Sequence, residues 1–215
     1  WAGCGGHTFE REENEQRQWV LGLDLARKFD LVACVPTSPN KLGSVDIVNP
    51  MFWCNEERIE QLIAFYPEMA KWRDRNLIRI VGENTTDLRA VKRDIRKFCE
   101  KHFVVGIVYD ATYAETLIQD LTAGEFGPDG DLMFPALAIG EKPFSQGILT
   151  QTGPTADFEN ELKDKMIRHD DNPVLTWQFG HATVKQDGRG HRQVQKEDRK
   201  SCRTVDGVQA AIMSR

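Results

Sequence analysis

Three aspartates stand where a carboxylate is costly to place: Asp24 in Gly22-Leu23-Asp24-Leu25-Ala26, Asp110 in Val108-Tyr109-Asp110-Ala111, and Asp206 in Val205-Asp206-Gly207. Asp24 interrupts the apolar run from Trp19 to Ala26, and Asp110 closes the run from Phe103 to Tyr109. Both runs have the length and the β-branched or aromatic content of buried strands. A carboxylate at the end of such a strand is unfavourable unless it is paired or binds a cation. Three of them, distant in sequence but able to converge on a central sheet, predict a hard-cation site built from oxygen ligands. One or two Mg²⁺ or Mn²⁺ ions are the natural occupants. The matching chemistry is two-metal phosphodiester hydrolysis. A plain helix-capping role competes for Asp110 and Asp206 but not for Asp24, which lies inside a strand.

Basic residues supply a second constellation against an acidic mean, the net charge being −5. Residues 71–101 hold ten Lys or Arg against five Asp or Glu, and residues 185–203 hold seven against three. The seven are Lys185, Arg189, Arg192, Lys196, Arg199, Lys200 and Arg203. Lying just before Asp206, they could neutralise phosphates along a groove while the rest of the surface stays acidic. A solvated helix face is the competing reading of residues 71–101. No Ser/His/Asp or Cys/His arrangement suggests a protein nucleophile.

Composition bounds the class. A chain of 215 residues, 40% hydrophobic and 28% charged, can bury one sizeable core. It has no apolar stretch of transmembrane length and no signal-peptide pattern, so no membrane partner is expected. The five cysteines are odd in number and never spaced as CxxC, which points to reduced packing residues of a cytoplasmic protein rather than a zinc site.

The elements that must position the aspartates alternate between β and α. Residues 1–17 read as a leader or linker. Strands follow at 18–26 and 30–36, joined as a hairpin by 27–29, and residues 41–54 are extended with a third strand around 45–48. Ile59, Leu62, Ile63 and Tyr66 mark a helix interrupted by Pro67, and a short helix runs through Trp72. A strand at 77–81 leads to a helix N-capped by Asp87 with the stripe Leu88, Val91, Ile95, Phe98. The 103–109 strand precedes a helix carrying Ala114, Leu117, Ile118 and Leu121 and stopped at Gly124. Residues 132–139 suggest a strand and 140–153 an ordered but mobile loop. Phe158, Leu162, Lys165 and Met166 indicate a helix ending near His169, after which Asn172-Pro173 restarts the chain into 174–179. Asp187-Gly188-Arg189-Gly190 predicts a hairpin over 182–195, and Asp206 opens a last helix with Val208 and Ile212. The whole reads as one α/β domain over 18–215.

This order of elements is that of an RNase H-like nuclease fold, a central mixed sheet flanked by helices. In sequence detail the chain resembles the C-terminal nuclease domain of tailed-phage large terminase subunits, most closely the HK97-like branch. The resemblance is carried by Gly22-Leu23-Asp24-Leu25-Ala26 with Asp30-Leu31-Val32-Ala33, then Pro50-Met51-Phe52-Trp53, and Val108-Tyr109-Asp110 with Ala114, Glu115 and Leu117. It continues through His169-Asp170-Asp171-Asn172-Pro173-Val174-Leu175-Thr176-Trp177, Lys196, and Val205-Asp206-Gly207-Val208-Gln209-Ala210-Ala211-Ile212-Met213.

The resemblance implies an endonuclease that cuts concatemeric double-stranded phage DNA during genome packaging, in the host cytoplasm, with Asp24, Asp110 and Asp206 as catalytic metal ligands. It implies His169 and Lys196 as possible supporting residues for proton transfer or phosphate contact. It further implies a small terminase subunit, a portal protein and an ATPase motor domain as partners. No GxxxxGK[ST] phosphate loop is present, so the chain is expected to be an excised nuclease domain or a motor-less protein. His181 stands where relatives commonly carry Asn, and residues 132–151 do not align. Other RNase H-like nucleases of resolvase or transposase type, and a non-catalytic packaging module, are the alternatives.

Overall fold

The computed structural model describes residues 1–9, 17–25, 31–40, 43–112, 114–198 and 202–215. Within them the strands in chain order open with β1 (Gln18–Asp24), β2 (Val32–Pro39), β3 (Val45–Ile47) and β4 (Met51–Cys54). Helices α1 (Glu56–Phe65) and α2 (Glu68–Asp74), β5 (Arg79–Ile80), α3 (Leu88–Lys101), β6 (Phe103–Asp110) and α4 (Glu115–Ala123) follow. Then come β7 (Glu125–Phe126), β8 (Leu132–Phe134), β9 (Gly140–Phe144), α5 (Ile148–Lys163), β10 (Ile167–His169) and α6 (Pro173–Phe179). The hairpin β11 (Ala182–Gln186) and β12 (Arg192–Lys196) leads to α7 (Asp206–Met213).

The described residues form an eight-stranded mixed sheet in the order β10-β3-β2-β1-β6-β9, with β4 and β5 joined at β2. β1 is central. It runs antiparallel to β2 and parallel to β6, the topology that a hairpin followed by a helical crossover produces.

Alternation along the strands divides the core into two layers. Trp19, Leu21, Leu23, Val32, Cys34, Ile107 and Tyr109 face α3 and α4, whose buried residues include Val91, Ile95, Leu117 and Ile118. Leu31, Ala33, Val35, Phe144 and Phe158 share the opposite layer with Val208, Ala211 and Ile212 of α7. A period of two therefore directs Asp24 and Asp110, out of phase with Leu23 and Tyr109, towards the α7 side.

Several sequence expectations are corrected. Residues 140–153 are not a loop: Gly140–Phe144 pairs parallel to β6, and α5 begins at Ile148 with Pro154 inside it. Its buried residues are Gln151, Thr155 and Phe158, so no apolar stripe announced it. The strand expected over 132–139 is confined to Leu132–Phe134, paired with β7 outside the main sheet. The helix expected to reach His169 stops at Lys163, and Ile167–His169 is an edge strand beside β3. Residues 26–30 of the expected first hairpin lie outside the described residues.

Residues 1–9 of the expected leader pack on the domain. Trp1 stacks on His169 and Phe179 with ring centroids 3.7 and 3.9 Å away, and Cys4 is buried. Cys34 and Cys54 also pack inside, where burial pushes the Cys54 thiol up to about 12.

Candidate active site

The three aspartates come to one end and one face of the sheet. The β1–β6 register pairs Gly22 with Val108 and Leu23 with Tyr109, so the next residues along these parallel strands are Asp24 and Asp110. Helix α7 crosses the same face antiparallel to β1. Its carboxyl end is fixed where the Thr37 hydroxyl, level with Val20, donates to the Ser214 carbonyl at 2.8 Å. One turn earlier Ala210 lies over Gly22. Four helical residues rise about 6 Å and two strand residues about 6.6 Å, so one further turn sets Asp206 level with Asp24. The Leu31 amide, just ahead of β2, donates to Asp206 Oδ2 at 3.3 Å and anchors that end.

All three carboxylates are buried, Asp24 at 7%, Asp110 at 8% and Asp206 at 8% exposure, and their side chains offer hard oxygen donors. Each has a local hydrogen bond. Gln146 Nε2 donates to Asp24 Oδ1 at 2.9 Å, and the Thr112 amide donates to Asp110 Oδ1 at 3.0 Å. Asp206 occupies the first turn of α7, where the helix dipole favours negative charge. The side chains are not gathered into a finished cage. Among the described residues, no group of three or more His, Cys, Asp or Glu side chains is arranged to hold a metal ion. The oxygen-donor chemistry of the three carboxylates and their backbone placement at one end of the sheet fit a divalent cation.

Asp46 is a buried carboxylate that this fold surrounds with cationic partners. It is fully buried on β3, bonded by Arg168 at 2.7 and 2.8 Å, by Asn40 at 3.0 Å and by Arg17. Burial pushes its pKa up, but these partners outweigh that and hold it below the ordinary carboxylate value.

A polar scaffold that the sequence did not reveal surrounds the aspartates. Gln178 of α6 accepts the Gly207 amide at 2.6 Å and donates to Thr204, fixing the start of α7 beside Asp206. Gln151 of α5 donates to Gln209 of α7 and accepts the Val194 amide, while Gln209 donates to the Val194 carbonyl. Gln193 of β12 donates to the Gln146 carbonyl at 2.7 Å. Glutamines carry no periodic signal, and Gln146 falls in a stretch expected to be loop.

The other expected site residues separate into two groups. His169 ends β10, three strands from β1, or about 14 Å at the usual strand spacing. Its Nδ1 accepts the Asp171 amide and its Nε2 faces the Trp1 carbonyl at 3.1 Å, so it is a packed structural residue and does not join the carboxylates. Lys196 ends β12, half-buried, on the hairpin that adjoins the site through Gln193. On that hairpin Lys185 and Arg189 are exposed. Arg192 pairs with Glu159 at 2.6 Å and Arg203 with Glu197 at 2.8 Å. Arg199 and Lys200 lie outside the described residues. His181 packs edge-on against Trp177, and burial first, then the neighbouring Arg203, lowers its pKa.

A family model described as the terminase large subunit, endonuclease domain, matches residues 9–214. The terminase large subunit of Enterobacteria phage HK97 is 27% identical over 216 residues, covering all of this chain and 39% of the relative, so the chain spans well under half of that protein's length. The crystal structure of the HK97 bacteriophage large terminase matches with a TM-score of 0.78 at 25% identity, over 94% of this chain and 39% of the other. The large terminase nuclease from thermophilic phage G20c with bound magnesium matches with a TM-score of 0.55 at 8% identity, over 93% and 80% of the two chains. The nuclease domain of the large terminase of bacteriophage SPP1 with bound Mn matches at 0.51 and 13%, over 92% and 84%. At these identities the last two show the shared fold, an RNase H-like mixed sheet flanked by helices.

Proposed function

The chain belongs to the family of terminase large subunit endonuclease domains, and we propose that it cuts concatemeric double-stranded phage DNA during genome packaging by metal-dependent phosphodiester hydrolysis. One observation carries the reading: three buried aspartates, from two parallel strands and a helix start, share one face and one end of the sheet. Asp24, Asp110 and Asp206 are the residues that would hold one or two Mg²⁺ or Mn²⁺ ions. Bound there, such ions would supply a lowered pKa for an attacking water and charge stabilisation for the leaving 3′ oxygen.

The chain's own residues bind, orient and hold charge. Asp24 is fixed on the central strand, Asp110 is held by the Thr112 amide, and Asp206 stands at a helix start clamped by Gln178. Exposed Lys185 and Arg189 on the adjoining hairpin extend the site towards a polyanion. By the same resemblance, a small terminase subunit, a portal protein and an ATPase motor supply site choice and DNA movement.

Plasmid nicking and linearisation with Mg²⁺ or Mn²⁺, with and without ATP and EDTA, tests the reading. The expected result is weak, sequence-nonspecific cleavage that is independent of ATP and abolished by EDTA. Mn²⁺ supports it at least as well as Mg²⁺, because it tolerates imperfect octahedral geometry better. Cleavage that survives EDTA, or a plasmid left intact under every metal condition, overturns it.

A further inference from the structure

We propose that Gln146 is a positioning residue for Asp24, and that Gln193 holds it in that role; the inference rests on the metal-dependent reading of the three aspartates. Gln146 sits in the short link between β9 and α5. That link is tied down on both sides of the site. Phe144, two residues earlier, pairs with Asp110 in the β6–β9 register, and its carbonyl accepts the Ala111 amide. Gly147, one residue later, starts α5 by accepting the Gln151 amide. From this position the Gln146 side chain crosses the end of β6 to reach Asp24 Oδ1 at 2.9 Å on β1. The Gln146 backbone is fixed in turn by the Gln193 side chain, which donates to its carbonyl at 2.7 Å.

The chemistry of the donor suits the task. A lysine or arginine at position 146 would neutralise Asp24 and compete with a divalent cation for it, as the guanidinium groups do at Asp46. A neutral amide donates one hydrogen bond to one carboxylate oxygen and adds no positive charge that would compete with a cation. Partners of this kind orient metal ligands, and losing one costs roughly tenfold or more in metal affinity or activity. Gln193 extends the support to β12, so the seating of the hairpin helps determine the orientation of Asp24.

The test uses the 215-residue chain with Gln146→Ala, Gln146→Met and Gln193→Ala, the methionine preserving length without the donor. Mn²⁺ uptake is followed by electron paramagnetic resonance, thermal stability with and without Mn²⁺, and plasmid cleavage as separate kcat and KM for DNA. Both Gln146 substitutions are expected to raise the half-saturating Mn²⁺ concentration by roughly tenfold and to lower kcat, with KM for DNA unchanged. Gln193→Ala is expected to shift both quantities in the same direction by less. Should the alanine variant fail to fold, the methionine variant carries the comparison. Wild-type uptake with unchanged or tighter binding in the folded Gln146 variants overturns the positioning role alone. A wild-type chain that binds no Mn²⁺ and cuts no DNA overturns the metal-dependent reading and this inference with it.

Discussion

Gly22 on β1 lies directly beneath the carbonyl of Ala210 on α7: a Cβ built on Gly22 would stand 1.9 Å from that oxygen, with Ser214 Cβ at 3.1 Å. The near contact is backbone, so nothing flexible can give way. The missing side chain is therefore what lets the helix bearing Asp206 settle one turn from the strand bearing Asp24. Gly22→Ala is expected to lift α7 off the sheet. Overpacking of this kind costs about 1–3 kcal/mol, a fall of roughly 3–10 °C in Tm for a chain of this size. Thermal melts check it, and a Tm within a degree of wild type would show that α7 is not seated as described.

Asp24→Asn should remove the ligand charge with little change of shape. Its Oδ1 can still accept from Gln146, so the fold is retained, and the Tm of the metal-free protein does not fall, because repulsion with the neighbouring Asp110 and Asp206 is relieved. Cleavage and any Mn²⁺-dependent rise in Tm are expected to vanish. A variant that cuts at the wild-type rate rules Asp24 out as a metal ligand.

DNA binding should fall steeply with salt and depend on the exposed charges of the hairpin. Lys185→Glu with Arg189→Glu is expected to weaken binding and flatten the dependence of log affinity on log salt by about 2, at nearly one unit per phosphate contact. Arg192→Glu should behave differently, because that guanidinium is already committed to Glu159 and its backbone amide to Thr152. Its loss undocks the hairpin from α5 and shows first as lower stability. Fluorescence anisotropy across a salt series separates the two. A double variant with an unchanged slope would move the DNA path to residues 71–101.

What was legible in the sequence follows from where single residues contradict their surroundings. Asp24 was visible because a charge inside an apolar strand run has few physical explanations, and α3 because Asp87 caps it, its side chain accepting the Arg89 amide. Asp110 and Asp206 were visible only as a pattern with Asp24, since each alone reads as a helix start. The glutamines that hold the aspartates and the start of α7 in place were not legible. Gln146, Gln151 and Gln178 act through one amide each, at spacings imposed by tertiary packing rather than by helix or strand period. α5 was hidden for a related reason: its buried side chains include Gln151 and Thr155, its interior holds Pro154, and the sheet strand before it contains Gly140, Lys142 and Pro143. His169 was misplaced because a three-residue edge strand leaves too short a pattern to distinguish from the end of the preceding helix.

His169 gives the remaining prediction, which concerns stability with pH rather than catalysis. The ring is fully buried; burial lowers its pKa below the usual 6.5, and the Trp1 carbonyl, Asp171 and Asp170 oppose that shift without cancelling it. Nδ1 accepts the Asp171 amide, so the neutral ring protonated at Nε2 is the form that fits, its N–H donating to the Trp1 carbonyl. In the unfolded chain the ring takes up a proton as pH falls through 6.5, while in the folded chain it does so only at lower pH. The unfolded state therefore binds more protons in that window, and stability contributed by the neutral ring, fully present above about pH 7, is lost as pH falls from 6.5 towards the lowered value. His181, whose pKa is also lowered, adds a contribution of the same sign. Tm measured between pH 5 and 8 should decline on the acid side for the wild type and decline less for His169→Gln, although the variant is less stable at pH 8 from loss of the Trp1 stack. The same variant should still cut plasmid DNA with Mn²⁺ at pH 8, because three strands separate its side chain from Asp24. An unchanged acid slope would remove His169 from the pH dependence, and loss of cleavage in a folded variant would return it to the active site.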